Sequence, residues 1–387
     1  MTSSDTQPMP ELSEAREIVA EAKRVVVKIG SSSLTSVEGG LNRENLERVT
    51  NVLARHRAAG HEVILVSSGA VAAGLEPMGL TERPDDLATK QAAAAVGQSL
   101  VMAAYTDVLA EHGVVPAQVL LTAEDLMRRT SYRNAQRTIE RLLALGCFPI
   151  VNENDAVATS EVRFGDNDRI AALVAHLAHA DALILLSDVA ALYTAPPGTP
   201  GAEAVDFVAD QGDLEDLGIG GTGAAGVGSG GMQTKVQAAT MAADSGIPTV
   251  LTSAPNVEAA LHGDEIGTYF GVTHKRRQKR ILWLGHLART VGKVRVDAGA
   301  VKALEGRGTS LLAVGVTDVE GEFEAGDPVD VVGPRGDLVG RGFVNFSSEE
   351  LPMMFGLTTE ELGERYGQDY RKEVIHRNDL MLSDAVF

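Results

Sequence analysis

Cysteine is nearly absent from the 387 residues: Cys147, in the apolar context ALGCFPIV, is the only one. A lone thiol makes no intrachain disulfide, and in that setting a buried structural role is expected rather than a nucleophilic one. Positive charge is also scarce, with 34 Lys+Arg against 53 Asp+Glu and a formal net charge of -19. A surface of that sign repels phosphate backbones and anionic headgroups, which argues against a nucleic acid or a membrane as partner. No run approaches 18 uninterrupted apolar residues, so no transmembrane helix is expected. The opening MTSSDTQPMPELSEAREIVAEAK lacks the basic start and apolar run of a secretory signal. A reducing, cytoplasmic location is therefore expected. There is no internal repeat, and no glycine-lysine-serine/threonine triplet of a P-loop.

What is present is patterned. The length points to two domains, and 44% hydrophobic with 22% charged residues is ordinary for a globular protein. Five short apolar runs read as buried strands: RVVVKIG from Arg24, EVILVSSG from Glu62, CFPIVN from Cys147, DALILLSD from Asp181 and IPTVLTSA from Ile247. Helical periodicity fills the intervals at Leu46–Ala59, Ala88–His112, Glu124–Leu145, Arg169–Ala180 and Gln233–Ser245. The alternation predicts an α/β fold, a doubly wound, mostly parallel sheet between two helical layers. Ligands of such sheets bind at the carboxyl ends of the strands. The polar tails KIGSSS, SSGAVAAG, NENDAV and LSDVAALYT fall there.

Past the basic run THKRRQKR, Thr273–Arg280, the pattern changes. From about Gly292 the pieces KVRVD, SLLAVGV, DPVDVVG and DLVGRGFVNF read as short strands separated by turns, a small β-rich second domain. The expected division is an extension at 1–22, a catalytic domain at 23–272, a linker at 273–284 and the second domain at 285–387.

Three stretches carry chemistry. VNENDAVATSEVRFGDND, Val151–Asp168, ends a buried strand with five carboxylates, three asparagines and one basic residue, Arg163. Unpaired carboxylates are costly near a core. Either the stretch is a solvated Asn-Asp turn or it faces a cation. Asp155 and its amide neighbours suit a substrate ammonium, and Asp166 and Asp168 could orient lysines or a Mg²⁺.

In GIGGTGAAGVGSGGMQTK, Gly226, Gly228 and Gly231 have dinucleotide-fingerprint spacing, but no buried strand precedes them. The stretch is either a surface loop or a phosphate cradle, with the N–H groups of Gly230–Met232 opening a helix that carries Lys235. KIGSSSL offers a second cradle, Lys28 with Gly30–Ser33, against the alternative of a snorkelling lysine at a strand end. Two cationic cradles on one sheet suit phosphoryl transfer. His176 and His179 share a helix face without further ligand types beside them, so no zinc site is expected.

VVVKIGSSSLT, VSSGAVAAG, NENDAVAT, GDND, LLSDVAALYT and SGGMQTK, in this order, resemble the glutamate 5-kinases of the amino acid kinase superfamily. The resemblance spans essentially the whole chain, because bacterial members often carry a C-terminal PUA domain, a small pseudo-barrel. It implies ATP and Mg²⁺ as cofactors, L-glutamate as substrate and L-proline as feedback inhibitor. A homo-oligomer is expected, and functional coupling to a glutamyl phosphate reductase.

By the same resemblance Lys28 and Lys235 stabilise the moving phosphoryl group and Asp168 orients them. Ser68, Asp155 and Asn167 bind glutamate. Lys28, Ser187, Asp188 and the run Ser229, Gly230, Gly231, Met232, Gln233, Thr234 and Lys235 contact ATP. Ser187 and Ser229 stand where threonine is usual; both keep the hydroxyl.

The implied nucleophile is a carboxylate with a reference pKa of about 4.3, ionised at neutral pH, so no general base is needed. Kinases acting on acetylglutamate, aspartate or UMP are the neighbouring alternatives. Acetylglutamate lacks the ammonium that the NEND acids would hold. RNA binding through the second domain is the alternative of another class. From His286 onward, however, 11 Lys+Arg face 18 Asp+Glu, a poor surface for phosphates.

Overall fold

The computed structural model describes residues 11–35, 40–127, 129–157, 166–216, 230–272, 290–307 and 309–382. The chain forms two compact units that divide at 275/276, the short piece 127–131 grouping with the second. The expected linker at 273–284 and its basic run lie outside the described residues.

The first unit begins with α1 (Leu12–Ala20), β1 (Arg24–Ile29), α2 (Ser31–Leu34), α3 (Arg43–Ala58), β2 (Glu62–Val66), α4 (Ala70–Leu75) and α5 (Leu87–Glu111). It continues through β3 (Pro116–Leu121), α6 (Ala123–Met127), α7 (Arg129–Ala144), β4 (Phe148–Glu153), α8 (Asp166–Leu177) and β5 (Ala182–Ser187). After β6 (Leu192–Tyr193), β7 (Ala204–Val205), β8 (Phe207–Val208) and α9 (Gln211–Asp216) come α10 (Gly230–Asp244), β9 (Thr249–Ser253), α11 (Val257–Leu261) and β10 (Thr268–Phe270).

Eight strands make one sheet in the order β3-β4-β2-β1-β5-β9-β10-β8. It is parallel from β3 to β9, and β10 runs antiparallel to β9. β1 and β5 lie at the centre, where continuous apolar runs are buried on both faces. From them the chain winds outward in both directions, which places a topological switch between β1 and β5.

Strand alternation decides what each face meets. Val25, Val27 and Ile29 of β1 join the core formed with α1, α3, α5 and α11. Val26 and Lys28 therefore point to the opposite face, where α8 packs on β1 and α10 packs on α8. Residues Ile170–Leu177 of α8 are all buried, apart from a slight exposure of His176. The acids of GDND do not form a loop: Asp166–Asp168 are the first turn of α8, where negative charge favours the helix.

Other departures from the sequence reading have physical causes. β3 is an edge strand that starts with proline and has a half-exposed pattern, so no continuous apolar run announces it. The expected extension at 1–22 contains α1, whose Ala15 and Val19 belong to the core and whose Arg16 Nε donates to Gly263 O at 2.8 Å. α5 is long and apolar enough to cross a membrane by length and composition. Here it lies in a helical layer, with Ala93, Gly97, Val101, Ala104 and Tyr105 buried. A Cβ on Gly97 would sit 1.8 Å from Ala70 O, and one on Gly74 would sit 1.9 Å from Ala93 O. α4 and α5 thus touch backbone to backbone.

The second unit comprises β11 (Gly292–Val296), α12 (Ala298–Arg307), β12 (Val316–Gly321), β13 (Pro328–Val332), β14 (Leu338–Phe343), α13 (Thr359–Tyr366) and β15 (Leu380–Leu382). Its strands form one sheet, β12-β11-β13-β14-β15, antiparallel except for the β11–β13 pair. Val294, Val331, Val339, Phe346, Leu351, Leu362 and Ile375 are among its own core. A capping box of Thr358 and Glu361 starts α13. The expected strand SLLAVGV is corrected. Leu311 makes an isolated bridge to Ile375, residues 313–315 form a 3₁₀ turn, and pairing with β11 begins only at Val316.

Candidate functional site

The carboxyl ends of β1, β2, β4 and β5 share one edge of the parallel sheet. Lys28 sits near the end of the central strand β1, opposite Val66 and Leu185, and is 4% exposed. It is not an edge lysine with its head in water. Its Nζ lies 2.5 Å from Asp168 Oδ1, on the first turn of α8. The other oxygen of Asp168 lies 3.4 Å from Lys235 Nζ and accepts a 2.8 Å hydrogen bond from the Thr234 hydroxyl. Lys235 also donates to Gly231 O at 3.0 Å, which folds it back over the start of α10.

One carboxylate, 2% exposed, thus joins two lysines from different elements. Burial pushes Lys28 below its ordinary lysine value; the Asp168 charge opposes that shift, Lys235 adds to it and Asp188 opposes it. Asp188 follows β5, where its Oδ1 accepts a hydrogen bond from the Ser187 hydroxyl at 2.9 Å. After β1, Gly30 leads into the single helical turn α2, and Ser33 Oγ reaches Ser187 O at 3.5 Å.

At the ends of β3 and β4, against α4 and α5, a cleft of ≈ 300 Å³ opens, lined by none of the cluster residues. Ala70 of α4, Gln98 and Ser99 of α5, Gln118 of β3, and Glu153, Asn154 and Asp155 at the end of β4 are among its lining residues. Asn152, 1% exposed, donates from Nδ2 to Gln98 Oε1 at 2.7 Å and accepts the Glu153 backbone N–H at 2.9 Å. Arg83, in the segment between α4 and α5, feels the Asp155 charge, which works against the lowering of its pKa by burial.

Lys28, Lys235, Asp168 and Thr234 are therefore brought into contact, with Ser187 and Asp188 one strand away. Asp155 stands in the cleft. Ser68, buried at the end of β2, precedes Gly69, whose φ of 88° turns the chain into α4. Neither Ser68 nor Asn167 hydrogen-bonds to the lysines or to Asp155 and Asp168 among the described residues. Gly230, Gly231, Met232, Gln233 and Thr234 form the first turns of α10. Ser229 and the side chain of Asp166 lie outside the described residues. Gln98 and Arg83 were not anticipated as site residues, and Asn152 only as one of the amide neighbours of Asp155. The stretch NEND did contain the signal for Asn152, but nothing local marks its partner 54 residues away.

The residues present fit an anionic phosphate. A buried ammonium, Lys28, and a half-buried one, Lys235, share one carboxylate, a concentration of positive charge that suits an anion. The side-chain-poor first turn of α10 exposes N–H groups next to Lys235. Asn167 Oδ1 is buried without a hydrogen-bond partner, an acceptor that suits a donor such as an ammonium rather than the phosphate. Among the described residues no group of three or more His, Cys, Asp or Glu could hold a metal ion.

Residues 23–253 match the model of the amino acid kinase family, and residues 292–362 match that of the PUA domain. A glutamate 5-kinase of Streptomyces coelicolor is 54% identical over 369 residues, covering 95% of this chain and 98% of its own. One from Thermobifida fusca is 54% identical over 370 residues, covering 95% of each. One from Bifidobacterium longum subsp. infantis is 50% identical over 374 residues, covering 96% of this chain and 99% of its own. Among solved structures, a carbamate kinase from Giardia lamblia bound to AMP-PNP aligns with 65% of this chain and 99% of that one, at 20% identity and a TM-score of 0.47. With near-full-length identity of this order and both family models in place, the chain belongs to the amino acid kinase family and, within it, to the glutamate 5-kinases.

Proposed function

We propose that the chain transfers the γ-phosphoryl group of ATP to the side-chain carboxylate of L-glutamate, forming L-glutamyl 5-phosphate, the first step towards proline. The observation that carries this reading is the bridge from Lys28 through Asp168 to Lys235, at the same carboxyl edge of the sheet as the end of β4, where a cleft holds Asp155.

The difficulty of the reaction is bringing one anion up to another. The attacking carboxylate is already ionised at neutral pH, so proton removal is not part of the problem. Lys28 and Lys235 lie on either side of one point and can neutralise charge as it spreads over the transferring group. Asp168 fixes both ammonium groups, with the Thr234 hydroxyl locking its second oxygen. Ser187, Asp188 and the start of α10 hold the nucleotide, with Ser229 assigned there from the sequence. Bound with the nucleotide, Mg²⁺ would supply further neutralisation of phosphate charge. Asp168 is already engaged by both lysines, so the metal's ligands would come mainly from ATP.

Asp155 takes the substrate ammonium, and Ser68 and Asn167 complete the amino-acid side. Proline carries an ammonium and a carboxylate but no second carboxylate, so it competes there without being phosphorylated. A homo-oligomer and a reductase that consumes the acyl phosphate complete the reading. So does a cytoplasmic location, the expected setting for a biosynthetic enzyme.

The test is ADP release with Mg-ATP and glutamate, acetylglutamate, aspartate or UMP, with hydroxylamine trapping of the acyl phosphate. Turnover with glutamate and a trapped hydroxamate are expected. Faster turnover with acetylglutamate overturns the assignment, because that substrate has no ammonium for Asp155.

A further inference from the structure

The amino-acid end of the substrate carries a carboxylate as well as an ammonium, and the cleft as described offers it two acids. Glu153 and Asp155 line it, and among its described lining residues there is no lysine, arginine or histidine; Arg83, outside that lining, interacts with Asp155. A carboxylate held there needs neutral donors whose polarity cannot reverse. One lining residue has that property.

A backbone N–H can only donate, so the 2.9 Å contact from Glu153 N fixes the oxygen end of the Asn152 amide. Its Nδ2 end is then turned towards Gln98 at 2.7 Å, and the atom of Gln98 that receives it must be Oε1. Gln98 Nε2 is left as the free end of an amide that lines the cleft, with two N–H donors and no hydrogen-bond partner among the described residues. Burial of Asn152 makes the relay expensive to reverse, because a turned amide would set N–H against N–H inside the core. Gln118 lines the same cleft, but no hydrogen bond among the described residues fixes which end of its amide faces inward.

Position agrees with polarity. Asn152 belongs to β4, two strands from β1 and hence roughly 10 Å from Lys28 across the strands at normal spacing. The Asn152 side chain leaves the face of Ile150, opposite to that of Lys28, so one substrate reaches both only over the carboxyl edge of the sheet. A substrate whose reacting carboxylate meets Lys28 directs its other end towards β4. We propose that Gln98 binds the α-carboxylate of the acceptor amino acid, that Asn152 positions it, and that the pair selects acceptors with a free α-carboxylate. The inference rests on the glutamate reading above.

Two substitutions test it by reversing polarity while keeping the fold. Gln98→Glu retains an acceptor for Asn152 Nδ2 but turns a carboxylate oxygen on the cleft. Asn152→Asp retains the acceptor for Glu153 N but forces Gln98 to turn and show its own oxygen to the cleft. Each variant is compared with the unsubstituted chain by ADP release, using glutamate and glutamic acid α-amide, in which the α-carboxylate becomes a neutral donor.

In both variants KM for glutamate should rise about 10- to 100-fold, the scale of losing a hydrogen bond to a charged group. The kcat and the KM for ATP should stay within about threefold, since neither residue touches the phosphoryl end. The preference for glutamate over its α-amide, as kcat/KM, should fall by at least tenfold. A glutamate KM within twofold of the original, or parallel losses for both acceptors, overturns the proposal. If the unsubstituted chain does not phosphorylate glutamate at all, the functional reading fails rather than this assignment.

Discussion

Asp168→Asn removes one charge, keeps the shape and leaves an oxygen for the Thr234 hydroxyl. The carboxylate it replaces is 2% exposed and lies 2.5 Å from Lys28 and 3.4 Å from Lys235. Burial already holds the Lys28 pKa below its usual value, and Asp168 is the main influence working against that. Without it the pKa falls further, so the ammonium that faces the transferring phosphate becomes neutral over more of the working pH range. Losing one transition-state charge partner costs about 10²–10³ in kcat. Breaking a buried pair by removing one partner costs about 3–5 kcal/mol of stability while the orphaned lysine stays charged. The sign in pH follows. Deprotonation of Lys28 is favoured as pH rises, so the activity deficit of the variant should widen from pH 7 to pH 9 relative to the unsubstituted chain. Steady-state ADP release across that range measures it, with urea unfolding at pH 7 as the companion. A variant with kcat within threefold of the original and an unchanged pH profile would refute the idea that Asp168 keeps Lys28 charged.

Gly97→Ala should destabilise by about 3 kcal/mol or more in urea and raise the glutamate KM, because the new Cβ would fall 1.8 Å from Ala70 O and push α4 off the cleft. Acid should weaken the fold through His56. Burial, then His61 stacked at 4.0 Å and His262, lower its pKa to about 4, so this stability is complete above about 6.5 and lost as pH falls towards 4. After discounting for its half-exposed ring the loss is roughly 1–2 kcal/mol, and a His56→Asn variant should show a flatter dependence of urea midpoint on pH. A chain ending at Gly285 should fold and keep kcat/KM within about tenfold, since the catalytic candidates and the core of the first unit all precede it; a soluble, cooperatively folded truncation without activity would show that the second unit completes the site.

The central strands were legible because burial on both faces leaves continuous apolar runs, as in VVVKI and ALILLS. β3, β8 and β10 were not, because edge strands and three-residue pieces carry no such run. In the second unit SLLAVGV misled for a related reason: it is apolar and buried at Leu311 and Ala313, but its backbone is used in a bridge and a turn. Burial alone does not tell a strand from a packed turn. Lys28 was ambiguous in sequence because a strand-end lysine reads the same at a centre or an edge. Only the order of the strands, set by long-range pairing, makes it central.

The two ends of the site differ in how far sequence reaches them, and the physics of each explains why. The phosphoryl end depends on formal charges near glycine, and charge is a property of the residue itself: a lysine is a cation wherever the chain places it. Lys28, Asp168 and Lys235 could therefore be named before their contacts were known. The acceptor end depends on the direction of neutral dipoles, and an isolated glutamine has no fixed direction. Gln98 acquires one only through Asn152, and Asn152 only through the backbone of the next residue. Between Gln98 and Asn152 the chain passes through β3 and α7, so no window of sequence contains the relay. Discrimination among small acceptors by dipoles of fixed polarity is thus where relatives with the same lysines can diverge, since turning one amide exchanges a donor for an acceptor without changing charge, volume or fold.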